Sequence, residues 1–164
     1  MRSQPAPRIT FLLIGLVAVG LVAGGLILAR TLNLAACPLC ILQRMAYLLL
    51  ALEGLLAATL AVRPAAVRGA AQLMGLTALT GASIAAYQTW LQRFAKGASC
   101  AADQPWWERF VDWAGVQYPL LFEATGLCSE AGWKFLGLSI AEWSLIIFTT
   151  LTLFSLRLML RSTR

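Results

Sequence analysis

Two cysteines three positions apart, Cys37 and Cys40, enclose Pro38-Leu39 and precede the stretch Ile41-Leu42-Gln43-Arg44-Met45-Ala46-Tyr47. A pair at this spacing closes a small disulfide or stands open as a dithiol, which suits it to thiol–disulfide exchange. Pro38 fits the first turn of a helix, where its missing N–H would have no intrahelical partner. A helix that starts there sets both sulfurs at its positive end, which favours thiolate and lowers the cysteine pKa. At about 100° per residue, Cys37, Cys40 and Arg44 fall within roughly 60° of one another. A fixed cation then lies one turn below a nucleophilic sulfur, the arrangement of a redox site.

Blander readings fit less well. Structural zinc takes closely spaced ligand pairs, whereas the other cysteines, Cys100 and Cys128, are 28 positions apart and the chain has no histidine. No metal site is expected. A thioredoxin domain would need strands alternating with helices around the motif, and the sequence predicts none. Leu34-Ala35-Ala36-Cys37 resembles the lipobox of a lipoprotein signal peptide, but Arg30 and Asn33 interrupt its apolar run. A cleaved peptide would also leave three later apolar runs unexplained.

The elements that must carry these cysteines are membrane helices. The chain has 164 residues, 60% of them hydrophobic and 12% charged, with a mean hydropathy of +0.76. That is far from a soluble globular average and predicts one integral-membrane domain over 1–164, an all-α bundle of four transmembrane helices. The net charge of +6 does not point to nucleic acid, because the basic residues are dispersed at the ends of apolar runs and form no stripe. Spans are expected at about 9–29, 40–62, 69–92 and 143–160, each long enough for a hydrocarbon core of about 30 Å. The first is longer than the apolar region of a secretory signal, so an uncleaved span is expected. Gly15, Gly20, Gly24 and Gly25 offer close packing there, as do Gly75, Ala78, Ala82, Ala85 and Ala86 in the third span. Tyr87 and Trp90 suit the membrane interface. Glu53, inside the second span, is costly in lipid and must face a neighbouring helix or trapped water. Nine residues from Arg44, it lies on the opposite side of the helix. An interhelix hydrogen bond and a proton relay are both open to it.

Two connections, at about 30–39 and 93–142, are expected on one side of the membrane, the second long. In it Trp106, Phe110 and Trp113 recur at helical spacing with Glu108, Arg109 and Asp112 between them. The pattern predicts a short amphipathic helix on the membrane surface; a small folded cap around Trp106, Trp107 and Tyr118 is the alternative. The N-terminus, the Arg63–Arg68 turn and the C-terminus carry Arg2, Arg8, Arg63, Arg68, Arg157, Arg161 and Arg164 and no acid. By the positive-inside rule both termini face the cytoplasm. All four cysteines then lie outside, which in a bacterium is the oxidising periplasmic side.

A C-x-x-C opening the second of four spans, an arginine four residues on and a second cysteine pair in a long outer loop together resemble the bacterial disulfide bond formation protein B (DsbB) family. The stretch Gly126-Leu127-Cys128-Ser129-Glu130-Ala131-Gly132-Trp133-Lys134-Phe135-Leu136-Gly137-Leu138 is similar to the family's segment before its fourth span. The resemblance covers almost the whole chain. It implies an inner-membrane oxidoreductase that reoxidises a periplasmic DsbA-like thiol oxidase of thioredoxin fold and delivers electrons to the membrane quinone pool, as ubiquinone or menaquinone. It further implies that Cys100 is attacked by the partner's thiolate. Cys128 would pair with Cys100 at rest and transiently with Cys37. Cys40 would contact the quinone, and Arg44 would favour its developing negative charge. Gln43 stands where some members carry an acid, and no histidine lies near the end of the third span, so proton delivery stays unassigned. Two other classes remain open from the residues alone. One is a redox enzyme like the vitamin K epoxide reductases, whose C-x-x-C falls in a later span. The other is a membrane scaffold with static disulfides, which would need no cation beside the motif.

Overall fold

The computed structural model describes residues 7–61, 63–95 and 105–161. Cys100 lies outside the described residues, as do Arg2, Val62 and Arg164. Prolines set the starts of the helices. Helix α1 (Pro7–Thr31), α2 (Pro38–Leu60) and α3 (Pro64–Phe94) each have proline at the first helical position, where the fixed φ costs nothing and no N–H is missed. The Arg63–Arg68 stretch is therefore not a turn throughout: Pro64 to Arg68 is the first turn of α3. At 31 residues and 1.5 Å per residue, α3 is about 46 Å long, well beyond the hydrocarbon core. A short helix α4 (Trp106–Gln117) follows, then one turn, α5 (Pro119–Phe122). Strands β1 (Lys134–Phe135) and β2 (Leu138–Ser139) form a two-residue hairpin, and α6 (Ile140–Arg161) closes the described chain.

Four of these helices, α1, α2, α3 and α6, are long and apolar enough to cross a membrane. Their outer faces carry exposed leucines such as Leu13, Leu52, Leu76 and Leu153, which lipid accepts and water would not. α1 packs on α2, α2 on α3 and α3 on α6. Helices lose no apolar surface to water by meeting inside lipid, so close backbone approach has to supply the attraction. At the α1–α2 crossing, a Cβ on Gly54 would lie 2.8 Å from the Phe11 carbonyl oxygen and 2.9 Å from the Gly15 nitrogen. Gly81 on α3 likewise receives the ring of Phe148 from α6. That ring stacks on Tyr47 of α2 with centroids 4.1 Å apart. Gly20, Gly24 and Gly25 have open space instead, so of the four α1 glycines only Gly15 is a close-packing position. Glu53 is buried and accepts a 2.7 Å hydrogen bond from the Thr77 hydroxyl of α3, which favours the interhelix reading of this carboxyl.

The expected amphipathic helix is α4. Its buried positions are Glu108, Val111 and Ala114, while Trp106, Phe110 and Trp113 point away from the protein, where an interfacial helix meets head groups. Leu136 and Gly137 have φ of 52° and 81°, the left-handed values both central residues of a type I′ hairpin turn require. Ser139 and Glu142 then cap α6 reciprocally: the Ser139 N–H donates to Glu142 Oε2 at 2.7 Å and the Glu142 N–H to Ser139 Oγ at 3.3 Å, a capping box. Glu142 also pairs with Arg93 at the end of α3.

Replacing Gly54 with Ala should force α1 and α2 apart and cost about 1–3 kcal/mol, read as a lower unfolding midpoint in detergent. Gly20→Ala should leave the midpoint unchanged or raise it. Equal midpoints for Gly54→Ala and the parent would mean the two helices do not depend on this contact.

Candidate functional site: three sulfurs at the start of α2

A helix leaves its first N–H groups without intrahelical partners. In α2 Pro38 has none to leave. The Cys40 N–H donates to the Cys37 sulfur at 3.4 Å, so Cys37 is the N-cap. Beside Leu39 packs the sulfur of Cys128, a residue from the far end of the long loop. Cys37 and Cys40 sulfurs stand 3.0 Å apart, beyond the roughly 2.05 Å of a covalent S–S bond, with the Cys37 thiol donating to Cys40. Cys37 also hydrogen-bonds to Cys128.

The loop is brought there by backbone. The N–H groups of Thr125 and Gly126 both donate to the Ala36 carbonyl at 2.9 Å. A side chain at position 126 could not fit, since its Cβ would lie 2.4 Å from the Ala35 carbonyl oxygen. Docked this way, Cys37, Leu39 and Cys128 form a small buried cluster against Leu42, Ile84, Leu91 and Trp107. The hydrogen bonds to Cys128 and Cys40, together with burial, hold the Cys37 thiol protonated well above the ordinary thiol range. Acceptance from Cys37 lowers Cys128 below it, against the opposing effect of burial. Cys128 is the sulfur of this pair that is prepared to attack.

Two buried amides complete the site. Gln88 of α3, 2% exposed, donates from Nε2 to the Cys37 sulfur at 3.2 Å and the Cys40 sulfur at 3.1 Å. Its Oε1 accepts from Gln43 Nε2 of α2 at 2.7 Å. One turn beyond Cys40, Arg44 donates through Nη1 to the Leu121 carbonyl of α5. Cys40, Gln43, Arg44 and Gln88 face a cavity of about 230 Å³. Leu21, Val22 and Gly25 of α1 and Ala141, Ser144 and Ile147 of α6 wall it on either side. α1 and α6 barely touch each other, and the cavity occupies the gap.

Of the residues singled out by sequence, Cys37, Cys40, Arg44 and Cys128 are brought together, and Cys100 lies outside the described residues. Cys128 meets Cys37 directly. Sequence reasoning missed Gln88 and treated Gln43 only as a missing acid. A signal was present: polar side chains inside an apolar span face the interior and find partners there. The Leu121 carbonyl and the Ala36–Gly126 contact had no comparable sign.

The family model described as disulfide bond formation protein DsbB matches residues 7–158. Disulfide bond formation protein B of Dechloromonas aromatica (strain RCB) is 41% identical, over 99% of this chain and 98% of that one. The proteins of the same description from Aromatoleum aromaticum and Nitrosomonas europaea are 36% and 39% identical, over 94% and 89% of this chain and 93% and 89% of their own lengths. Likeness of that extent, over nearly the whole chain, makes it a member of the disulfide bond formation protein DsbB family and a multi-pass membrane protein of disulfide bond formation.

Proposed function

We propose that this protein reoxidises a periplasmic thiol oxidase of DsbA type and passes the electrons to a membrane quinone, ubiquinone or menaquinone. The observation that carries the reading is the position of Cys40. Its sulfur touches the Cys37–Cys128 cluster under the docked loop and also faces the cavity between α1 and α6.

The exchange runs through four sulfurs. The partner's thiolate attacks Cys100 of a Cys100–Cys128 disulfide, forming a mixed disulfide and releasing Cys128 as thiolate. The partner's second thiolate resolves that bond, and the partner leaves oxidised with Cys100 free. Cys128 then attacks Cys37 of a Cys37–Cys40 disulfide and expels Cys40 as thiolate. Attack by Cys100 on Cys128 restores their bond and returns Cys37 as the dithiol partner of Cys40. Two electrons have reached that pair and no atom has been lost. Lowering of Cys128 by the Cys37 and Leu39 donors supports its part as attacking sulfur.

The cavity fits a quinone in kind: apolar walls for a tail, Cys40 and Arg44 for a head group, and a place between α1 and α6, two helices that barely touch. Bound there, a quinone would supply the two-electron, two-proton acceptor that cysteine exchange alone lacks. Arg44 places a fixed positive charge beside Cys40 and the cavity, held by the Leu121 carbonyl. Such a charge stabilises anionic sulfur and any negative charge that develops next to it. The arginine asymmetry supports cytoplasmic termini in a bacterial inner membrane, with the cysteines on the periplasmic side.

In cells opened on the outer side only, reduced protein should take up a membrane-impermeant maleimide at Cys128. Because its pKa lies below that of an ordinary thiol, labelling should fall off at a lower pH than for a free cysteine thiol, while Cys37 stays unlabelled. Labelling only from the cytoplasmic side would reverse the orientation and end the scheme.

Arg44→Met keeps much of the apolar stem and removes the charge. Quinone reduction by the Cys37–Cys40 dithiol should lose about 2–4 kcal/mol of transition-state stabilisation, while exchange between partner and Cys100–Cys128 stays near the parent rate. Stopped-flow measurement of the two half-reactions makes the comparison. Equal slowing of both, or of neither, would take Arg44 out of the quinone site.

A further inference from the structure

The amide of Gln88 forks between two sulfurs that must alternate between a covalent bond and a dithiol. We infer that Gln88, aimed by Gln43, sets the reduction potential of the Cys37–Cys40 pair by stabilising its reduced form, making the pair a stronger oxidant. The inference deepens the proposed function and rests on Cys37 and Cys40 being a redox pair.

The orientation of the fork is fixed by its neighbour. Gln43 Nε2 donates to Gln88 Oε1 at 2.7 Å, which leaves Gln88 Nε2, with its two N–H groups, toward the cysteines at 3.2 and 3.1 Å. Both amides are buried, at 4% and 2% exposure, so water does not compete for these bonds. Reduction breaks the S–S bond, admits two electrons and one proton, and leaves Cys37 as thiol and Cys40 as thiolate. A thiolate concentrates charge on one sulfur and gains much from an N–H donor, because charge-assisted hydrogen bonds are about twice as strong as neutral ones. A disulfide sulfur is a weak acceptor and gains little. The donor therefore favours the reduced state, and stabilising a reduced state makes a disulfide more oxidising. At the start of α2 the Cys40 N–H is itself turned to the Cys37 sulfur, so side-chain donors matter to the Cys40 sulfur. Gln88 supplies one from the neighbouring helix.

The test is a redox titration of the full-length protein in detergent, under argon in dithiothreitol buffers. Samples are trapped with acid and alkylated, and the peptide holding Cys37 and Cys40 is read by mass spectrometry. Gln88→Leu removes the donors and should shift the equilibrium constant with dithiothreitol at least tenfold toward the disulfide, a potential lower by 29.6 mV or more. Gln88→Glu keeps the size and the bond from Gln43 but sets acceptors against the sulfurs, and should shift it further in the same direction. Gln43→Leu frees the Gln88 amide to rotate and should give a part of the effect. A shift in both Gln88 variants with unfolding midpoints near the parent's supports the inference; if Gln88→Leu does not fold, the isosteric Gln88→Glu decides. Parent-like potentials in folded variants would overturn it while leaving the redox pair intact. A parent protein whose Cys37 and Cys40 never form a disulfide would overturn both.

Discussion

Everything chemical in this chain hangs on the cap at the start of α2. Pro38 has no donor to offer in the first turn, and the Cys40 N–H goes to the sulfur of Cys37 rather than to the usual serine or aspartate. A helix end is a site of partial positive charge, and here that charge falls on sulfur. The long loop brings Cys128 against the same cap, in one buried cluster with Cys37 and Leu39. The loop is held by its own backbone as well, through the two bonds to the Ala36 carbonyl.

The bundle divides its labour along its length. Toward the C-terminal half of α2 it is packing, with the Gly54 contact bringing backbones together, and at mid-helix Phe148 seats its ring between Gly81 and Tyr47. Toward the N-terminal end of α2 it is polar, with the Gln43–Gln88 pair and the reach of Arg44 to Leu121. Glu53 and Thr77 stand apart from that polar end. Other hydroxyls in the spans, such as Thr80, Ser83 and Thr150, bond back to their own helix at 2.8–3.0 Å. A polar group inside a membrane has to be satisfied within the protein, and this chain does so mostly locally.

What could be read from sequence follows the range of the interactions. Cys37, Cys40 and Arg44 lie on one helix and its cap, so spacing alone fixes their relation, and periodicity placed Glu53 opposite Arg44. The ends of the spans were less legible, because a proline both ends one helix and opens the next, as Pro64 does. Cys128 beside Cys37 depends on a loop with no period meeting the Ala36 carbonyl, and no spacing encodes that. Gln88 was hidden for another reason. It is one of three glutamines on α3, with Gln72 and Gln92, and which of them meets a partner shows only once the rotation of α3 against α2 is known. The aromatic stripe of α4 was visible, but that it turns outward while Glu108 turns inward was not.

The loose seam between α1 and α6 has a bearing on selectivity. A solute that enters a cavity through such a seam arrives by diffusion in two dimensions, and its supply follows its mole fraction in lipid rather than its concentration in water. The seam therefore sorts by partition coefficient before any side chain is touched. Small aqueous thiols and disulfides are disfavoured on such a route by solubility, not by shape. The composition of the surrounding bilayer becomes, in effect, part of the specificity of the site.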